Sequence, residues 1–237
     1  NGQYKFLDRY IVNVGLRIDG DSQFGPGKRY GYFPEISLRY RLSGEDFMKK
    51  YSDWLDDLSF RYSYGHSGKT PGSDYLFYSQ YGSSATNYLG LAGLTPGNLQ
   101  LNQLRWSTLK STDGGFDLVM FKNRLNLDVD FYRTRVTDLL TSLSLASYQG
   151  FNSVTMNVGT LDNQGFEVNL QSTPYKSKKL NIDFAFNIAN NINALRSISP
   201  YYATQSGNVT TNGSYLQVLQ LNNPLGSFYG YKFKGVY

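Results

Sequence analysis

Residues 10–18, Tyr-Ile-Val-Asn-Val-Gly-Leu-Arg-Ile, set Val12, Val14, Leu16 and Ile18 against Asn13, Gly15 and Arg17. A repeat of two is the side-chain period of a β-strand, so the segment is a strand with one apolar and one polar face. The same alternation returns along the chain. Ile36, Leu38, Tyr40 and Leu42 oppose Glu35, Ser37, Arg39 and Arg41; Leu58, Phe60, Tyr62 and Tyr64 oppose Ser59, Arg61 and Ser63. A strand is expected near 110–119. Leu125, Leu127, Val129 and Phe131 then oppose Asn126, Asp128, Asp130 and Tyr132, and Phe166, Val168 and Leu170 oppose Glu167, Asn169 and Gln171. Leu180, Ile182, Phe184, Phe186 and Ile188 oppose Asn181, Asp183 and Asn187, and 227–237 reads as one more strand. About eight strands follow from these repeats, all with one wet and one dry face.

The connections sort into two kinds. Residues 121–124 and 174–179 are short, whereas 65–105, 139–157 and 194–224 are long and rich in Gly, Ser, Asn and Tyr. Residues 43–57 are the exception among the short set: Phe47, Met48, Tyr51 and Leu55 have near-helical spacing behind Ser43, which predicts one short helical turn with Ser43 as N-cap. Short turns at one end and long loops at the other are what a transmembrane barrel has, with its apolar faces toward lipid and its polar faces toward the lumen. The fold expected is therefore all-β: part of a transmembrane antiparallel β-barrel. Tyr10, Tyr40, Tyr64 and Phe131 suit its interfacial girdles. A soluble β-rich carbohydrate-binding or adhesion module is the alternative, and it would bury its apolar faces between two sheets.

Composition narrows the chemistry. The 237 residues hold no cysteine and a single histidine, His66, so thiolate metal sites, cysteine nucleophiles and paired histidines are excluded. The net charge is +5, but the cations are scattered, which argues against nucleic acid as a partner. Gly68-Lys69-Thr70 lacks the first glycine and the following helix of a phosphate loop. Asp19-Gly-Asp21-Ser-Gln23 opens like a calcium loop, yet Phe24 and Tyr30 stand where glycine and glutamate are needed. Asp128 and Asp130 share a strand face and read as lumen charge rather than as a catalytic pair, although one sequence does not exclude a glycoside-cleaving cleft. Neither a metal nor a cofactor is expected. The aromatic loops are the candidate ligand surface: Tyr75, Phe77, Tyr78, Tyr81 and Tyr88 in the longest loop, and Tyr201 and Tyr202 in a later one, where flat rings beside amides and hydroxyls suit sugars or peptides.

Several stretches resemble a known family. Residues 9–25, Arg-Tyr-Ile-Val-Asn-Val-Gly-Leu-Arg-Ile-Asp-Gly-Asp-Ser-Gln-Phe-Gly, and 29–34, Arg-Tyr-Gly-Tyr-Phe-Pro, are similar to the barrel of SusC-like TonB-dependent outer-membrane transporters. So are Trp54-Leu-Asp-Asp-Leu58, Phe121-Lys-Asn-Arg-Leu125, Thr137-Asp-Leu-Leu140, Asn157-Val-Gly159, Asn163-Gln-Gly-Phe-Glu167 and Pro224-Leu-Gly-Ser-Phe-Tyr-Gly-Tyr231. The resemblance implies a bacterial outer-membrane importer of a glycan or peptide nutrient, without enzymatic activity, driven through TonB and covered by a SusD-like surface lipoprotein. It also implies a barrel of about 22 strands, of which residues 1–237 would be an internal portion, the plug and remaining strands lying elsewhere. On this view residues 19–30 form an external hairpin loop turned by Gly20, Gly25 and Gly27, with the Tyr30–Phe33 aromatics marking the return to the membrane interface.

Overall fold

The computed structural model describes residues 1–72, 74–88, 90–145, 150–151, 153–198, 209–212, 215–218, 220–230 and 233–235. Eight of its strands form one antiparallel sheet: β1 (Gly2–Phe6), β2 (Tyr10–Gly20), β3 (Tyr30–Arg41), β4 (Leu55–Lys69), β7 (Ser107–Met120), β8 (Leu125–Thr137), β11 (Thr160–Lys176) and β12 (Asn181–Ser197), in that spatial order. The long connections carry small hairpins of their own, β5 (Tyr81–Tyr88) with β6 (Leu91–Pro96) and β9 (Leu140–Ser144) with β10 (Ser153–Asn157). A further small sheet joins β13 (Val209–Asn212), β14 (Tyr215–Val218) and β15 (Ser227–Tyr229).

Two members of the wall differ from the sequence reading. β1 was not expected, and its turn explains why: Leu7 and Asp8 take positive φ (52° and 54°) without a glycine to announce it. Conversely, the strand expected at 227–237 is only Ser227–Tyr229 among the described residues, and it pairs with β14 rather than with the wall. The helical turn at 43–57 is two short 3-10 segments, Leu42–Gly44 and Asp46–Tyr51. Ser43 caps neither; its hydroxyl donates to Asp57 Oδ1 at 2.7 Å instead. Glu45 between them accepts from Arg9 Nη1 (2.8 Å) and from the Tyr10 and Tyr40 hydroxyls (2.8 and 3.3 Å), which ties the β3–β4 connection to the β1–β2 turn.

The registers fix the faces. Tyr10, Tyr40, Phe60, Phe116, Val129, Val168 and Ile188 stand in one cross-strand row, and so one residue away on every strand stand Ile11, Arg39, Arg61, Gly115, Asp130, Glu167 and Ala189. The first row belongs to the apolar face. Among the described residues no second sheet covers that face: Leu16 is 57% exposed, Ile18 55%, Phe184 54% and Ile188 48%, although Val129 is buried among its neighbours. A soluble sandwich would have covered these side chains with a second sheet. The fully buried apolar residues among those described, such as Phe24, Phe33, Phe77 and Leu104, lie mostly at the loop end instead. The apolar band also crosses the rows obliquely. On β2 it runs up from Tyr10 to Ile18, whereas on β8 it runs from Leu125, four residues below Val129, only to Phe131. Strands that tilt about 35–45° to a flat lipid slab produce this offset.

Candidate functional site

The connections 7–9, 42–54, 121–124 and 177–180 share one end of the wall, where all but 42–54 are short turns, and 21–29, 70–106 and 138–159 share the opposite, long-loop end. The short end is the periplasmic one and the long end the external one. On the polar face, the half nearer the short turns carries an ion-pair lattice. Arg39 lies 3.1 Å from Asp117 and 3.8 Å from Asp57, and Arg41 donates to Asp57 at 2.7 Å. Arg61 lies 2.7 Å from Asp117, and its Nη2 straddles the Asp130 carboxylate at 3.0 and 3.2 Å. Asp130 is thus held by an arginine within the wall, whereas Asp128, on the same strand face, has no ion pair among the described residues. Higher on the same face Ser63, Ser111, Thr134 and Asn163 present hydroxyls and an amide.

At the external end the wall forks. The β3–β4 ladder stops at Glu35 and Gly65, yet β3 stays paired with β2 up to Tyr30 and β4 with β7 up to Lys69. Aromatic rings fill the gap. Trp106 packs edge-on to Phe33 (5.5 Å between centroids) and against Phe24 (5.0 Å), and its Nε1 donates across the fork to Arg29 O at 3.2 Å. The space for these rings comes from glycines: a Cβ on Gly68 would stand 2.2 Å from Phe33 Cζ, and one on Gly31 2.5 Å from the same atom. Phe33 therefore turns into the fork and not toward lipid, while Tyr32 is exposed on the apolar face. In the 21–29 loop only Gly27 uses the positive φ (79°) expected of its glycines. Asp19 is held by Arg17, and Asp21 Oδ1 accepts from Gln23 N at 2.7 Å, so both carboxylates serve the loop itself. Gly68 and Lys69 lie within β4, which is why no phosphate loop forms there.

The candidate aromatic residues separate into supports and exposed faces. Phe77 is 5% exposed, tilted on Tyr78 at 4.0 Å and against Gly25. Tyr75, Tyr78 and Tyr81 are largely exposed, Tyr75 at a positive φ of 60°. Asn98 stitches this segment, donating to Tyr78 O (2.9 Å) and accepting from Gln80 N (2.8 Å). Tyr88 ends β5 opposite Leu91, whereas Tyr201 and Tyr202 lie outside the described residues.

Beside these tyrosines is a feature that the sequence reading did not single out, a cleft of about 530 Å³ between residues 99–105 and 154–157. Leu99, Leu101, Val154 and Met156 line it together with the amides of Gln100 and Asn102. Asn157 closes its base: Oδ1 accepts from Arg105 N (2.8 Å), and Nδ2 donates to Arg105 O (2.6 Å) and Asp138 O (3.1 Å). The Arg105 guanidinium bonds Asp138 at 2.5 Å, and that bond raises its pKa above the usual arginine value. Volume and lining suit an amphipathic ligand or a partner side chain. The only sequence signal for it was Asn157 within a family-like word.

The wall, its lipid-ready face and its two unequal ends match a known family over almost the entire chain: residues 1–235 fit the TonB dependent receptor-like β-barrel. This chain belongs to that family. It is 30% identical over 241 residues to TonB-dependent receptor P3 of Formosa agariphila, covering 99% of this chain and 24% of that protein. To TonB-dependent receptor SusC of Bacteroides thetaiotaomicron it is 28% identical over 246 residues, 97% of this chain and 24% of SusC. The RagAB peptide importer in its closed-closed state superposes with a TM-score of 0.82 at 23% identity, over 93% of this chain and 23% of that one; the open-open state gives 0.81. The fold is therefore a TonB-dependent barrel wall in the bacterial outer membrane, and the soluble-module alternative falls. The chain spans about a quarter of the length of the relatives it matches.

Proposed function

We propose that this TonB-dependent wall belongs to a SusC-like importer that moves a glycan or peptide nutrient across the outer membrane, with energy delivered through TonB and a SusD-like lipoprotein over its external mouth. In this reading residues 1–237 are an internal portion of the barrel, and the plug and further strands lie elsewhere in the protein. The observation that carries it is the pairing of an uncovered apolar face with a polar face that rises from paired charge to hydroxyls and amides and ends at an aromatic and amide-lined mouth. Tyr75, Tyr78 and Tyr81, beside the cleft at 99–105, are the ligand- or lid-contacting side chains in this reading, and Phe77 holds them in place. Tyr88, Tyr201 and Tyr202 belong to the same set of external aromatics. In this reading the chain transports and does not transform, and the lumen carboxylates Asp57, Asp117 and Asp130, each paired with arginine, serve the wall.

The test is uptake by cells that express the full-length protein as their sole importer of its kind. Fluorescent peptide and oligosaccharide pools are offered with and without a protonophore, to wild type and to a Tyr75→Ala, Tyr78→Ala, Tyr81→Ala variant of equal surface abundance. Uptake of one pool, lost with the protonophore and reduced in the variant, is the expected result. Uptake indifferent to the protonophore, or chemical conversion of a pool by the purified protein, would reject the proposal.

A further inference from the structure

On its outward face the wall changes chemistry abruptly toward the external end. Along β8 the apolar series Leu125, Leu127, Val129 and Phe131 gives way, on the same face, to Arg133 and Arg135. Along β11 the matching series passes from Phe166 to Gln164 and Asp162, and along β7 the face ends in Thr112 and Lys110. Lys110, Arg135 and Asp162 stand in one cross-strand row.

Asp162 is the centre of this group and is 1% exposed. Arg135 grips it with two donors (Nε 2.6 Å, Nη2 2.8 Å), Arg133 Nη2 lies at 2.9 Å and Arg196 Nε at 3.2 Å. Arg196 also donates to Asn222 Oδ1 at 2.9 Å. One carboxylate thus gathers three guanidiniums, which stay 40–52% exposed, and Lys110 adds a fourth cation with no acidic partner among the described residues. A single arginine would satisfy Asp162. Two further ones leave an excess of positive charge and unused N–H donors aimed outward.

The depth decides what lies opposite. Two residues of strand advance about 6.8 Å, which at a tilt of about 40° lifts Arg133 about 5 Å and Arg135 about 10 Å above Phe131. The headgroup layer on each side of the hydrocarbon is about 5–8 Å thick, so Arg133 stands within it and Arg135, in one row with Lys110, just above it, where long cationic side chains still reach down to headgroup phosphates and not to acyl chains. We propose that Lys110, Arg133, Arg135 and Arg196, organised by the buried Asp162, bind the phosphate groups of a phosphorylated lipid in the external leaflet. Asp162 supplies preorganisation: it fixes the guanidinium planes before lipid arrives, so that their remaining edges can engage phosphate in the bidentate manner arginine favours.

The test uses the full-length transporter in nanodiscs of zwitterionic phospholipid doped with lipopolysaccharide or with its dephosphorylated form, and the lipid retained after detergent extraction is counted by native mass spectrometry. Wild type is expected to retain the phosphorylated lipid selectively. Lys110→Gln, which breaks no pairing and so leaves folding intact, should lower retention about fivefold, and Arg133→Gln with Arg135→Gln more steeply, since each cation near a charged surface contributes about that factor. Equal retention by wild type and Lys110→Gln, or no preference of wild type for the phosphorylated lipid, would overturn the proposal.

Discussion

Placing an arginine at Phe186 and, separately, at Asn187 tests which face of β12 meets lipid, because adjacent residues point to opposite sides of the wall. The outward positions are apolar without a break from Leu180, just before β12, to Ile188, and polar Asn190 follows. At about 3.4 Å per residue and a tilt of about 40° that eight-residue span rises about 21 Å, most of the roughly 25 Å height of an outer-membrane apolar belt. Phe186 lies inside it, 48% exposed and opposite Leu170, and Asn187 faces the lumen opposite Asn169. Phe186→Arg therefore costs about 2–4 kcal/mol, the value for a cation facing lipid near the midplane, which is about a 30- to 900-fold fall in the folded-to-unfolded ratio. Asn187→Arg sets its charge in water and should stay within about 0.5 kcal/mol of wild type, as surface substitutions do. Urea titration of the full-length protein in lipid bilayers, followed by tryptophan fluorescence, gives both values. A larger loss for Asn187→Arg, or equal losses, would refute the assignment of faces.

Other outcomes follow from the external end. Phe24→Ala removes a ring with no exposed surface and should cost about 3–5 kcal/mol locally, seen as faster hydrogen exchange in residues 30–34 and 66–69 with the periplasmic ends unchanged. Gly68→Ala drives a methyl group into Phe33 and Trp106 and should destabilise the fork by about 1–3 kcal/mol, a change that Phe33→Leu in the same protein should partly relieve. Asn157→Ala frees Arg105 and Asp138 from their shared amide, and limited proteolysis should then cut residues 99–105 faster while the barrel stays intact.

How much of this was legible in the sequence depended on how local the cause was. The wall was readable because a single sheet between lipid and water imposes its period of two on every strand, and Val12–Ile18 states that period without interruption. β1 was missed because its turn uses Leu7 and Asp8 in the left-handed region, where a glycine or asparagine would have been the cue. Phe47, Met48 and Tyr51 imitated a helix at a site where Ser43 was drawn to Asp57 instead of a cap. In the long connections Gly, Ser and Asn diluted the alternation of the β5–β6 and β9–β10 hairpins. The Asp162 cluster was invisible for a different reason. Its arginines come from β8 and β12, so only the register brings them together.

The fork above Glu35 and Gly65 has a mechanical meaning. Below it the seam between β3 and β4 is closed by a continuous ladder; above it, among the described residues, the two sides meet through rings, the Trp106 bond to Arg29 and the Gln23 bond to Asp74. Ring contacts can slide, whereas ladder bonds must break. The wall is therefore two panels closed by a backbone ladder at the waist and by side-chain contacts at the mouth, so that displacing the rim there would cost side-chain contacts before any ladder bond that holds the wall in the bilayer.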